Sequence, residues 1–142
     1  MSQTKAYRRI LIAEDDEDDR LLLSQAFKEI NFTRPIETVN NGEELLAVLR
    51  SGAPLPALIL LDLNMPVKNG REALLEIRAD AHLRHLPVVV MSTSSAPSEI
   101  AAIYRSGANS CITKPSSFKD LVNILQTTTT YWLDVVQLPG QF

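Results

Sequence analysis

Cysteine is nearly absent from this chain. Among 142 residues there is one, Cys111, so no intramolecular disulfide can form and a reducing compartment is expected. An excess of either charge is also missing. The formal net charge is -3, which gives no basic face or stripe of the kind nucleic-acid binding requires. No apolar run approaches the roughly 20 residues of a membrane-spanning helix. Met1 to Tyr7 is polar and lacks the apolar centre of a signal peptide, so the expected location is cytoplasmic. No linker, internal repeat or low-complexity tract divides the sequence. One domain over 1–142 is expected, with a core of about 8–136, a short lead-in and a short tail. The two histidines, His82 and His85, share a loop with no cysteine or carboxylate at ligand spacing and read as surface residues.

What the chain does contain is a regular alternation. Composition is 45% hydrophobic and 22% charged, ordinary for a globular protein able to bury a core. Ile10–Ala13 reads as a short strand, followed by a helix with Leu22, Leu23, Ala26, Phe27 and Ile30 on one face. Ile36–Val39 reads as a weak strand and Gly42–Arg50 as a helix. Residues 57–62 form a continuous apolar run ending in Asp62. A helix is expected over about 71–80, a strand over Leu86–Met91, and a helix from Pro97 to about Ser106. Ser110–Thr113 is a last short strand, and a final helix runs from Ser116 or Ser117 to about Val136. Thr127–Thr130 is poor helical material and is expected to be held helical by packing. Five βα units with apolar strands predict an α/β fold: a doubly wound parallel sheet with helices on both faces.

In such a sheet the carboxyl ends of all strands share one edge, where open α/β folds bind ligands. Alone, Asp62 reads equally as a turn cap or as a site carboxylate. Its neighbours on that edge decide. The first strand ends in Glu14, Asp15 and Asp16, the fourth in Ser92 and Thr93, the fifth in Lys114. Clustered carboxylates call for a cation, and a solvent-open oxygen site suits Mg²⁺. A carboxylate can act as a nucleophile toward phosphorus. A metal and a lysine can neutralise phosphoryl charge while a hydroxyl binds a phosphoryl oxygen.

These residues resemble the response-regulator receiver domain of bacterial two-component signalling. The resemblance covers about residues 8–136. It rests on the acidic doublet after strand one, Asp62-x-Asn64-Met65-Pro66-x-x-x-Gly70, the hydroxyl after strand four, and Lys114-Pro115. It implies a five-stranded sheet in the order 2-1-3-4-5, flavodoxin-like, and a set of roles. Asp62 would accept a phosphoryl group from a histidine kinase. Asp15 and Asp62 would bind Mg²⁺, Glu14 through water, and Asn64 through its backbone carbonyl. Ser92 would be the switch hydroxyl, with Thr93 as the alternative, and Lys114 would contact phosphate. The Lys114–Pro115 bond would commonly be cis. Glu14-Asp15-Asp16, Asp62-Leu63-Asn64-Met65-Pro66, Tyr131-Trp132-Leu133 and Leu138-Pro139 also resemble single-domain regulators paired with phytochrome-type kinases.

Two positions depart from the receiver pattern. Cys111 stands where most receivers carry a switch aromatic, so the signal is expected to travel by loop movement or through Tyr104. Thr93 stands where Ala or Gly is usual, and its β-branch is expected to crowd attacking water and prolong the phosphate. Competing readings fare worse. A haloacid-dehalogenase-type phosphatase wants a second Asp two residues after the first, where Asn64 stands. A flavodoxin-like cofactor binder wants small polar residues after strand one, where this chain has six acids. A pseudo-receiver, a binding module without phosphorylation, would not need Asp15, Asp62, Ser92 and Lys114 together. The expected protein is therefore not an enzyme but a phosphoacceptor. In the sequence as it stands, too little chain follows Val136 for an output module, so signalling is expected by contact with an unknown downstream protein. The final helix has more apolar residues than one face can bury. A homodimer through it and the fourth helix or fifth strand is expected.

Overall fold

The computed structural model describes residues 9–139; the expected lead-in and the stretch from Gly140 onward lie outside them. The elements alternate as the sequence predicts: β1 (Ile10–Ala13), α1 (Glu17–Glu29), β2 (Ile36–Val39), α2 (Gly42–Leu49), β3 (Leu58–Asp62), α3 (Gly70–Ala79), β4 (Val88–Ser92), α4 (Pro97–Arg105), β5 (Ser110–Thr113) and α5 (Phe118–Thr129). All strands are parallel, in the order β2-β1-β3-β4-β5.

Each buried strand feeds two cores, because successive side chains point to opposite faces. Leu11, Ile59, Leu61, Val88 and Val90 pack with Leu45, Leu46 and Leu49 of α2, Leu74 and Ile77 of α3, and Ile103 of α4. Ile10, Ile12, Leu58, Leu60, Val89 and Met91 pack against Leu23 and Phe27 of α1 and Leu121 and Leu125 of α5. This is why β1, β3 and β4 read as unbroken apolar runs rather than alternating ones. At about 1.5–3 kcal/mol for each large side chain fully buried, these central strands hold the sheet far more firmly than β2, three of whose four residues are exposed.

Three details differ from expectation. β4 starts at Val88 rather than Leu86, because Pro87 has no N–H to give the ladder; it runs on to Ser92, which registers with Thr113. No cis peptide bond occurs among the described residues, so the strand-to-loop turn at Lys114–Pro115 is made with a trans bond. The last helix changes type: after Thr129 it widens into a π-helical turn, Thr130–Val135. Thr128 and Thr129 are buried, so packing does hold the threonines helical. The Thr129 hydroxyl, however, donates to the Leu125 carbonyl at 2.8 Å, competing for backbone acceptors and loosening the spiral.

The sheet edge opposite the strand carboxyl ends is tied by one guanidinium. Arg78 of α3 donates to the carbonyls of Gly107 (2.7 Å), Arg84 (2.9 Å) and Leu86 (2.8 Å) and to Asn109 Oδ1 (2.7 Å). Asn109 Oδ1 also takes the first β4 amide, that of Val88, at 2.8 Å.

Candidate functional site

At the strand carboxyl ends, four of the sequence-predicted residues come together. Asp62 is the last residue of β3 and continues the phase of Leu58 and Leu60, so it emerges on the α1/α5 side of the rim. Lys114 follows β5 and reaches back across it. Its Nζ lies 3.1 Å from Glu14 Oε1 and 3.6 Å from Asp62 Oδ1. Glu14 and Asp62 are buried, at 3% and 6% exposure, whereas Asp15 opens to solvent. One ligand oxygen from each of Glu14, Asp15 and Asp62 lies within 4.8 Å of the others. Asp62 Oδ1 accepts the Asn64 amide at 3.3 Å, a turn cap, and the same atom faces Lys114.

The electrostatics follow from burial. Glu14 loses hydration and faces the Asp62 charge, and these outweigh Lys114 to push its carboxyl up to about 7. Burial works against the Lys114 ammonium, yet Glu14, Asp62 and Asp19 overcome it and push that group up to about 12. The clustered Glu14, Asp15 and Asp62 oxygens therefore stand beside one fixed cation. Such a donor set fits a second, divalent cation. Mg²⁺–oxygen distances of about 2.1 Å allow ligand oxygens to stand up to about 4.2 Å apart, so the cluster needs only slight closing.

Ser92, at the end of β4, is buried, and Thr93 is exposed. The Ser92 hydroxyl accepts the Ser94 amide at 3.1 Å, so it is engaged with its own loop. Its carbonyl accepts the Lys114 amide at 2.7 Å, which ties the end of β4 to Lys114. Cys111 is partly buried, and burial pushes its thiol up. Its amide donates to the Tyr104 hydroxyl at 3.1 Å, so α4 and β5 are linked at the position where the usual aromatic is missing. His82 is exposed and His85 half-buried.

Asp16, suited to capping by its place at the helix start, does cap α1, accepting the amides of Asp18 and Asp19, rather than joining the cluster. Several other contributors were not found by reading the sequence. Asp19, three residues into that helix, places Oδ2 3.1 Å from Lys114 Nζ. The signal for it was there: a helical side chain leans toward the helix start, and this start sits on the end of β1. Arg20 donates to the Glu14 carbonyl at 3.0 Å and also bonds Asn40, pinning the acidic loop to β2. Lys68 pairs with Glu43 and Glu76 and braces the β3–α3 loop. Gly70 packs directly on the Asp62 backbone: an added Cβ would lie 2.3 Å from the Asp62 carbonyl oxygen. From Lys114 a groove of about 110 Å³ opens between α1 and α5, lined on its apolar side by Leu22, Leu23, Met91, Phe118 and Leu121.

A parallel 2-1-3-4-5 sheet with an acidic pair, a terminal aspartate, a hydroxyl and a lysine at its carboxyl edge defines a receiver-type signalling domain. The response regulator receiver domain family matches residues 10–126, and the chain belongs to that family. Response regulator Rcp1 of Synechocystis sp. is 36% identical over 136 residues, covering 92% of each protein. Among solved structures, the phosphorylated cyanobacterial phytochrome response regulator RcpA is 37% identical, with a TM-score of 0.87 over 95% of this chain and 100% of that one. The Mn²⁺-bound form of Rcp1 is 35% identical, with a TM-score of 0.83 over 94% and 99%. The similarity thus extends to single-domain phytochrome regulators. Among the described residues no helix is long and apolar enough to cross a membrane.

Proposed function

We propose that the chain acts as a single receiver domain in the cytoplasm, accepting a phosphoryl group on Asp62 from a histidine kinase of the phytochrome type. The observation that carries this reading is the buried Asp62 carboxylate with Lys114 at 3.6 Å and the Glu14 and Asp15 oxygens beside it. An Asp62 oxygen attacks phosphorus, an O–P bond forms as the donor's P–N bond breaks, and the histidine ring, protonated on its other nitrogen, leaves as neutral imidazole. Lys114, cationic at any physiological pH, contacts the phosphoryl oxygens. The Ser92 hydroxyl, which accepts the Ser94 amide, donates its own proton to one of those oxygens as the β4–α4 loop moves. Asp15, Asp62, the Asn64 carbonyl and Glu14 would hold Mg²⁺, which would supply positive charge against the transferring group. The phosphorylated state of RcpA and the Mn²⁺ bound to Rcp1 support this assignment.

The chemistry is confined to the protein's own phosphorylation and dephosphorylation. Thr93 narrows the approach of water and lengthens the life of the phosphate; Thr93→Ala shortens it. Output is by contact. Val135 and Tyr131 of the π-helical turn, Phe118 at the start of α5 and Tyr104 on α4 are exposed, which supports a homodimer through α5 with α4 or β5. A monomer by light scattering at all concentrations, with and without a phosphate mimic, would exclude that dimer. The central test is intact-mass analysis after incubation with a small phosphodonor and Mg²⁺. Wild type gains one phosphoryl mass and Asp62→Asn gains none; an adduct that survives in the variant overturns the assignment.

A further inference from the structure

We propose that Asp19 is a positioning residue that holds the Lys114 ammonium back from Asp62 and gives it up when a phosphoryl group arrives. This inference rests on Asp62 being the acceptor. An ammonium has three protons to donate. In Lys114 two close contacts of 3.1 Å go to Glu14 Oε1 and Asp19 Oδ2, while Asp62 Oδ1 lies outside hydrogen-bond reach at 3.6 Å. The resting lysine is thus committed to two carboxylates that are not the acceptor.

Burial decides which of the two yields. Glu14 has a side-chain exposure of 4%, so water cannot take the place of Lys114 beside it. Asp19 has a side-chain exposure of 39% on the first turn of α1. Water rehydrates it as it lets go, and a half-exposed pair is weakly held. A phosphoryl group on Asp62 brings oxygens toward the Lys114 ammonium, which already lies 3.6 Å from Asp62 Oδ1. Exchange of Asp19 for a phosphoryl oxygen therefore costs little and leaves the Glu14 contact in place. Asp19 also excludes the alternative of a lysine parked permanently on the empty acceptor, where it would weaken the nucleophile.

The test compares Asp19→Asn with Asp18→Asn. Asp18 is the adjacent exposed acid on the same turn, so its loss removes the same charge without touching Lys114. The affinity for beryllofluoride, a phosphoryl mimic, is measured at saturating Mg²⁺, and the affinity for Mg²⁺ alone is measured beside it. Asp19→Asn is expected to bind beryllofluoride about threefold or more tightly than Asp18→Asn, the scale of one released surface ion pair, while the two bind Mg²⁺ alike. Asp19→Ser provides a second measurement should the amide variant fold poorly. Equal or weaker beryllofluoride binding by both Asp19 variants, with wild-type binding intact and abolished by Asp62→Asn, overturns the role of Asp19 alone. Binding that is absent from wild type, or that survives Asp62→Asn, overturns the acceptor assignment as well.

Discussion

Replacing Gly70 by alanine isolates the support beneath Asp62. Gly70 is the first residue of α3 and is not in a left-handed conformation, so the backbone itself accepts a side chain. On propensity alone the change would help, since alanine is favoured over glycine in a helix by up to about 1 kcal/mol. Packing has the opposite sign. The new Cβ would lie 2.3 Å from the Asp62 carbonyl oxygen, 2.8 Å from Leu63 Cα and 3.0 Å from the Asp62 carbonyl carbon. All three are backbone atoms and cannot rotate away. Restoring ordinary contact requires the β3 terminus and the start of α3 to part by about 1 Å. Overpacking of this kind costs about 1–3 kcal/mol, and with rigid neighbours the upper half of that range applies. The net expectation is a loss of about 2 kcal/mol, or roughly 4–8 °C in Tm for a domain of this size. The same displacement acts on Asp62, and about 1 Å of misplacement is worth on the order of 100-fold in rate. Urea unfolding followed by circular dichroism gives the first quantity; the rate of phosphoryl uptake by intact mass gives the second. Gly52→Ala is the counterpart. Gly52 has φ +89° and nothing within 4 Å of an added Cβ, so its cost of about 1 kcal/mol is conformational and uptake is unchanged. A Gly70→Ala protein as stable as wild type, with unchanged uptake, would refute the packing account.

Other outcomes follow from separate parts of the molecule. Arg78→Met leaves three carbonyls and Asn109 without their shared donor, and a loss of about 2–4 kcal/mol is expected in urea unfolding; a change under 1 kcal/mol would show that water replaces the guanidinium freely. Millimolar Mg²⁺ should raise the Tm reversibly, by up to about 2.7 kcal/mol of stabilisation at a hundredfold excess over Kd, with EDTA restoring the original value and Asp15→Asn showing little shift. Because burial raises the Cys111 thiol, a smaller thiolate fraction exists at any given pH. Alkylation at pH 8 should therefore be slower than for glutathione, with the midpoint of its pH–rate curve above the ordinary thiol range. Rapid alkylation at neutral pH would contradict this.

The alternation of elements was legible because the central strands are buried on both faces and so leave uninterrupted apolar runs between turn residues. The acidic doublet, Asp62, Ser92 and Lys114 were legible because parallel topology delivers strand ends to one edge whatever their separation in sequence. Contacts that depend on side-chain reach were not. Nothing in Glu14–Asp19 distinguishes the acid that caps α1 from the one that grips Lys114, until Asp16 is seen to occupy the cap. The reason for Gly70 is equally hidden: it lies in the close approach of α3 to β3, a tertiary distance. Val67 adopts φ +65° and is 80% exposed. A β-branched residue is a poor choice for that conformation, and the sequence carried no sign of it. The π-helical turn was missed because the hydroxyl of Thr129 changes the bonding pattern without changing the apolar period.

The bonds of Arg78 give the domain a mechanical asymmetry. One guanidinium fastens α3, the segment before β4 and the turn before β5 at the amino edge, so that edge behaves as the clamped end of a cantilever. The opposite edge holds acids that repel one another and loops braced mainly by surface ion pairs. Charge added there would act on the free end before the clamped one. A partner that reads the added charge directly would grip the free end, and a fluorescent label or fusion joined near Arg84 would ride along with the clamped one.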